Sequence, residues 1–200
     1  MSKEKEIRQI DIDQIEVRAV TDEETQSEQY IIEGYINKFN TRSEFMGFYE
    51  QVSPDAFNET LGDGHTILAL YNHNSDKVLG STKSGSLQLL VDEVGLRFSL
   101  NVNPNVSYAK DIYELVKSGD VDGCSFGFIV EEDEWMNTKE GIQLRVIKKL
   151  HLIECTLTPF PAYTSSEAIT RSFQDWKESV DKEKEKQNLK RKLMIELELF

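Results

Sequence analysis

Gly123-Cys124-Ser125-Phe126-Gly127-Phe128 is the stretch from which the rest of the chain is read. As a strand, its two-residue period sends Cys124, Phe126 and Phe128 to one face and Ser125 and Gly127 to the other. The aromatic face reads as core. Ser125 then stands on a rigid element beside a glycine that lets a second backbone come close, the placement a nucleophile acting on an extended peptide needs. The plainer reading is that Ser125 marks the outward side of an amphipathic strand.

Working upstream, Ser107 opens a helical pattern in which Tyr108, Ile112, Leu115 and Val116 share a face, and Gly119 closes it. Downstream, Phe128 to Glu134, Gln143 to Lys149 and Leu150 to Leu157 read as strands. Earlier in the chain Glu6 to Ile12, Ile15 to Val20, Gln29 to Ile36, Thr66 to Tyr71, Lys77 to Gly80, Ser86 to Val91 and Leu96 to Val102 are short and rich in β-formers. Ser53-Pro54-Asp55 starts a second, short helix that ends at Gly62. Asn37 to Tyr49 is irregular and aromatic, a cover for a core edge or the lining of a groove. Many short strands with two interspersed helices predict an α+β fold: a mostly antiparallel, closed or nearly closed β-barrel flanked by helices.

The 200 residues suffice for one core of ordinary size, residues 1–164, and an appendage, residues 165–200. The appendage carries 8 acidic and 8 basic residues, so the net charge of −13 belongs to the first part. Ile169, Phe173, Trp176 and Val180 form an apolar stripe, Asp181 to Asn188 has no apolar residue, and Leu189 to Phe200 makes a second patch. A charged helical or partly disordered tail follows. The acidity argues against nucleic-acid binding, which needs clustered Lys and Arg. No apolar run has the length of a signal or membrane segment, which predicts a protein made in a reducing cytoplasm. Cys124 and Cys155 lack metal or redox spacing and are expected as buried free thiols, so neither a metal nor a cofactor is expected.

A serine becomes a nucleophile when a base takes its proton. Of the three histidines, His65 lies in a Gly-rich turn and His151 in a strand; each has an ordinary structural reading. His73 ends an apolar strand between Asn72 and Asn74, amides able to fix its ring. Glu154 is the one acid in the apolar run Leu150 to Leu157, a costly position unless it is paired. It either orients an imidazolium or forms a buried salt bridge. Gly123 to Gly127 also fits the Gly-x-Ser-x-Gly elbow of α/β-hydrolases, but an elbow needs a helix after the serine, and here a strand continues.

Tyr71-Asn72-His73-Asn74, Leu79-Gly80, Ser84-Gly85, Gly95-Leu96, Ser125-Phe126-Gly127-Phe128 and the run from Leu152-Ile153-Glu154-Cys155-Thr156-Leu157-Thr158 into Pro159-Phe160-Pro161-Ala162-Tyr163, in that order, resemble the prohead maturation proteases of tailed bacteriophages. Gly34-Tyr35 and Pro54-Asp55-Ala56-Phe57 fit the same pattern, and the resemblance spans roughly residues 28–170. It implies a serine endopeptidase with a barrel like that of herpesvirus assembly proteases, packaged in the procapsid within the host cytoplasm. By the same resemblance Ser125 is the nucleophile, His73 the base and Glu154 the third member; the herpesvirus relatives use a second histidine there, a role open to His65 or His151. Cys124, turned inward by strand phase, is no alternative nucleophile. The implied partners are the major capsid protein with its scaffolding segment and the chain itself, by autocleavage, with a homo-oligomer possible and no membrane. The competing expectation is a catalytically silent barrel serving as an assembly scaffold.

Overall fold

The computed structural model describes residues 4–10, 15–21, 28–139 and 141–159, together with Lys182, Glu185, Lys186 and Lys190. The chain divides into two units, Met1–Thr164 and Ser165–Phe200. Of the second, the four described residues are helical and exposed. The apolar stripe from Ile169 to Val180, the patch from Leu189 to Phe200 and the segment Phe160 to Tyr163 lie outside the described residues.

The first unit opens with strands β1 (Glu6–Ile10), β2 (Glu16–Thr21), β3 (Glu28–Lys38) and β4 (Tyr49–Val52). A 3-10 turn at Pro54–Phe57 runs into the short helix α1 (Asn58–Gly62). Strands β5 (Leu68–Tyr71), β6 (Asn74–Ser81), β7 (Leu87–Val91) and β8 (Gly95–Val102) follow, then helix α2 (Ser107–Ser118) and the long strands β9 (Gly123–Asn137) and β10 (Gln143–Thr158). The fold is therefore mixed α+β with strands predominating.

The expected barrel does not close. One sheet runs β1-β9-β10-β5-β6, with β4 pairing further along β10; the other runs β2-β3-β8-β7. No ladder among the described residues joins the two, so β1 and β6 remain edges of the first and β2 and β7 of the second. The physical reason lies in β10. Sixteen residues long, it pairs with β9 along its whole length and, on its other side, with β4 and β5 in succession, both parallel. The sheet is thus built around one central strand instead of being passed edge to edge around a ring. Sequence reading had divided β10 at Lys149/Leu150, where the structure has a register shift within one strand.

The two sheets share one core. Ile32, Ile36, Phe98 and Leu100 from the second sheet join Cys124, Phe126, Phe128 and Leu157 from the first. Full burial of each phenylalanine stabilises by roughly 1.5–3 kcal/mol. Helix α2 buries Ala109, Ile112, Tyr113 and Val116, and the Tyr113 ring meets Tyr30 edge-on at 5.0 Å. This face is rotated from the expected one, for Leu115 is exposed. Gly119 ends the helix at φ 82°, as a left-handed cap should, whereas Ser107 is the first helical residue and the cap position falls on Val106. In the 37–49 segment Phe39 and Phe48 are buried and Phe48 packs on Trp135 at 4.8 Å, so most of its aromatic surface covers the core, while Phe45 stays exposed.

Candidate active site

Ser125 lies on β9 directly opposite Thr156 of β10, and Gly127 lies opposite Glu154. Directly paired residues of an antiparallel ladder point to the same face. Ser125, Thr156 and Glu154 therefore share one side of the sheet, while Cys124, Phe126 and Phe128 pair with Leu157, Cys155 and Leu152 on the core side.

Glu154 reaches that side through a β-bulge. Regular alternation from Leu150 and Leu152 would turn residue 154 into the core, but the register shifts between Leu152 and Glu154, with Leu152 opposite Phe128 and Glu154 already opposite Gly127. One extra residue, Ile153, reverses the phase and re-aims the carboxylate. The same step puts Thr156 on the site side.

His73 arrives from the neighbouring hairpin. Tyr71 of β5 pairs with Asn74 of β6, leaving Asn72 and His73 as a two-residue loop with φ values of 51° and 56°. Two positive φ angles are what a type I′ hairpin turn requires. A left-handed histidine costs roughly 1–2 kcal/mol, and such strain concentrates at functional positions. The turn is held by the Asn72 amide donating to the Leu157 carbonyl at 2.9 Å and the His73 amide donating to Thr156 Oγ1 at 3.3 Å.

The imidazole Nδ1 meets Glu154 Oε1 at 2.6 Å, and the Thr156 hydroxyl donates to Glu154 Oε2 at 2.7 Å. Lys5 Nζ adds an ion pair to Oε1 at 3.0 Å. Burial pushes the Glu154 carboxyl up, yet the His73, Thr156 and Lys5 contacts more than offset it and hold it below its ordinary value. The carboxylate is 1 % exposed, so the site keeps a fixed negative charge behind the ring. His73 Nε2 is buried and has no hydrogen-bond partner among the described residues.

Asn72 and Asn74, expected to fix the ring, do other work. Asn72 Oδ1 accepts from the Thr158 hydroxyl at 3.2 Å and Asn74 Oδ1 accepts from the Asp76 amide at 2.8 Å, so both shape the turn. His65 and His151 stack on one another at 4.2 Å. The nitrogens of His65 are engaged by Asp63 Oδ1 at 2.5 Å and the Leu152 carbonyl at 2.6 Å. Cys124 and Cys155 are free and buried, with burial pushing both thiols up, so neither offers a thiolate.

Ser125 is fully buried, and β1 pairs alongside it as the neighbouring strand of the same sheet. Its hydroxyl donates to the Arg8 carbonyl at 2.9 Å. Gly127 allows this approach: a methyl there would run into Lys5 Cε and Glu154 Oε1. Sequence reading proposes Ser125, His73 and Glu154 and does not single out Thr156 or the β1 residues. The two-residue step from Glu154 was the available signal for Thr156; β1 carried none.

The imidazole is backed by a buried carboxylate, but Ser125 and His73 share no hydrogen bond: the serine hydroxyl donates to the Arg8 carbonyl and Nε2 has no partner among the described residues. These three residue types are the ones a serine hydrolase employs. The elbow alternative is excluded, since β9 runs on unbroken to Asn137. The chain belongs to the family described as caudovirus prohead serine protease, whose model matches residues 13–181. It is similar to the prohead protease of Enterobacteria phage HK97, at 27% identity over 157 residues that cover 78% of this chain and 64% of that one. The chain thus spans a little under two thirds of that relative's length. The bacteriophage T4 capsid assembly protease has a similar fold, with a TM-score of 0.57 and 10% identity over 79% of this chain and 99% of that one.

Proposed function

We propose that this protein is a serine endopeptidase of phage capsid maturation, with Ser125 as nucleophile, His73 as general base and Glu154 as the group that orients the base. The observation that carries the reading is the engagement of one imidazole nitrogen by a buried carboxylate while the other stays unpartnered. A Glu154 contact at Nδ1 fixes the tautomer with the proton on that nitrogen, which leaves the Nε2 lone pair to receive a proton.

In the reaction, Nε2 takes the Ser125 proton as Oγ attacks the scissile carbonyl, and the imidazolium formed is stabilised by Glu154. The proton then passes to the leaving amine, the C–N bond breaks, and a water repeats the cycle on the acyl-enzyme. Thr156 keeps the second carboxylate oxygen in place. His65 and His151 are left out of the third role because Glu154 already occupies Nδ1.

The substrates are the scaffolding segment of the major capsid protein and the chain itself, cleaved within the procapsid in the host cytoplasm. The family supports this setting, as do the two phage proteases that the chain resembles. Among the described residues no helix is long and apolar enough to cross a membrane. The herpesvirus likeness is read as a shared serine and histidine, with Glu154 in place of the second histidine, rather than as a closed barrel.

The second reading, a silent assembly factor, is favoured by one observation: the Ser125 hydroxyl is buried and bonded to a backbone carbonyl. Co-expression with the capsid protein separates the two. Wild type should process the capsid protein and Ser125→Ala should not; equal processing by the alanine variant removes Ser125 as nucleophile, and none by either supports the silent factor.

A further inference from the structure

Away from the serine, the turn that follows α1 and the middle of β10 bring together side chains of metal-ligating type. Asp63, His65 and His151 each offer one ligand atom, and these atoms lie within 4.8 Å of one another. Gly64, at φ 78°, turns the chain between the first two, and the imidazoles of His65 and His151 stack with centroids 4.2 Å apart. We propose that Asp63, His65 and His151 form a binding site for a divalent transition metal of the zinc class, which ties the turn between α1 and β5 to β10. The inference does not depend on Ser125 being the nucleophile.

The orientation of His65 carries the argument. Its Nε2 lies 2.6 Å from the Leu152 carbonyl oxygen, which can only accept, so Nε2 holds the hydrogen and donates it. In the neutral ring the lone pair is then on Nδ1, and Nδ1 faces Asp63 Oδ1 at 2.5 Å. Two lone pairs at that distance repel, and a cation between them turns the repulsion into attraction. A proton would serve those two groups alone. His151, brought to the same place by β10, is a third ligand that a proton has no use for and a tetrahedral ion does. Donation from the far nitrogen to a backbone carbonyl is also how metal-ligating histidines are held, because that bond fixes the tautomer and the ring angle.

Two imidazoles and one carboxylate suit zinc, with bonds of about 2.0–2.2 Å, and are too rich in nitrogen for calcium or magnesium. Coordination at those lengths widens the contact between Asp63 and His65 and draws His151 inward. Asp63, with 45 % of its side chain exposed, is free to make that adjustment. Sequence reading expects no metal, since the ligands come from two distant segments and no spacing announces them. The role is structural. Leu152, which follows His151, is held at its carbonyl by His65 and at its amide by Thr60 Oγ1 at 2.8 Å, and the register shift that re-aims Glu154 begins at the same residue.

The test titrates zinc chloride into the metal-free full chain by calorimetry, with thermal melts in parallel. The chain has three histidines, so His151→Ala, Asp63→Asn and His73→Ala together assign the site. Wild type should bind one zinc ion per chain and melt at a higher temperature with it. His151→Ala and Asp63→Asn should each weaken zinc binding roughly 100-fold or more, since loss of a group that merely orients a ligand already costs about 10–100-fold. His73→Ala should bind zinc as wild type does.

Absence of one-to-one binding by wild type overturns the site and leaves a protonated His65 paired with Asp63. Binding that survives His151→Ala, or that is lost in His73→Ala, also overturns it and puts the ion elsewhere. If the His151 and Asp63 variants fail to fold, the imidazole proton resonances of His73→Ala decide. Only His65 and His151 contribute them there, and zinc should shift both; a shift of one or of neither overturns the proposal.

Discussion

Two groups of buried charge sit on β10, and they are built differently. Around Arg145, on the side of β1's Glu6 and Arg8, two guanidiniums and the carboxylates of Glu6, Glu50 and Asp133 bond to one another, so that every charged group has a partner of opposite sign. Burial lowers both guanidinium pKa values, yet the carboxylates outweigh it and the net shift is upward. Around Glu154, the carboxylate is satisfied three times over while the imidazole it holds keeps one nitrogen without a partner. Saturation marks a cluster that fixes structure. The unpaired nitrogen marks the place where a proton has yet to go.

The largest effect should come from the unsaturated cluster. His73→Ala should lower capsid-protein processing by about 10⁶-fold, measured by the rate at which the shortened product appears, while the chain stays folded because Glu154 retains Thr156 and Lys5. Glu154→Gln should cost about 10⁴-fold in the same assay, since an amide can no longer stabilise the imidazolium. A variant with nearly full turnover would move the third role elsewhere and erase the contrast between the clusters.

The saturated cluster should respond in the opposite sense. Arg145→Ala leaves Glu50 and Asp133 without their shared cation and should destabilise the fold by about 3–5 kcal/mol in denaturant melts, with turnover per folded molecule retained. Loss of turnover without loss of stability would mean that this cluster, too, takes part in chemistry.

The smallest effect concerns acid. The Glu154 carboxyl titrates below its ordinary value of 4.5, so its ionised form adds stability that is fully present above the unfolded-state pKa. That stability is lost as pH falls through the lower, folded value. The stability gap between wild type and Glu154→Gln should therefore narrow as pH drops below the ordinary carboxylate range. A gap that is constant with pH would contradict the assignment.

What the sequence disclosed followed from periodicity and chemical cost. The alternation of Cys124, Phe126 and Phe128 located the core face of β9, and the expense of an acid among Ile153, Cys155 and Leu157 singled out Glu154. Long-range pairing was not legible. Nothing local in Glu6-Ile7-Arg8 says that it will lie against Phe126 and Phe128, because strand register is set by tertiary contacts. The bulge at Ile153 was hidden for the same reason, as was the failure of the sheets to close. The Asn72 and Asn74 amides were misassigned because Asx side chains serve turns as readily as rings.

The most direct test of the account is to map, by mass spectrometry, the residue that a fluorophosphonate modifies on the full chain. The account predicts an adduct on the peptide containing Ser125, absent from His73→Ala. An adduct on the exposed hydroxyl cluster of Ser81, Ser84 and Ser86, or equal modification of Ser125 without His73, would contradict it.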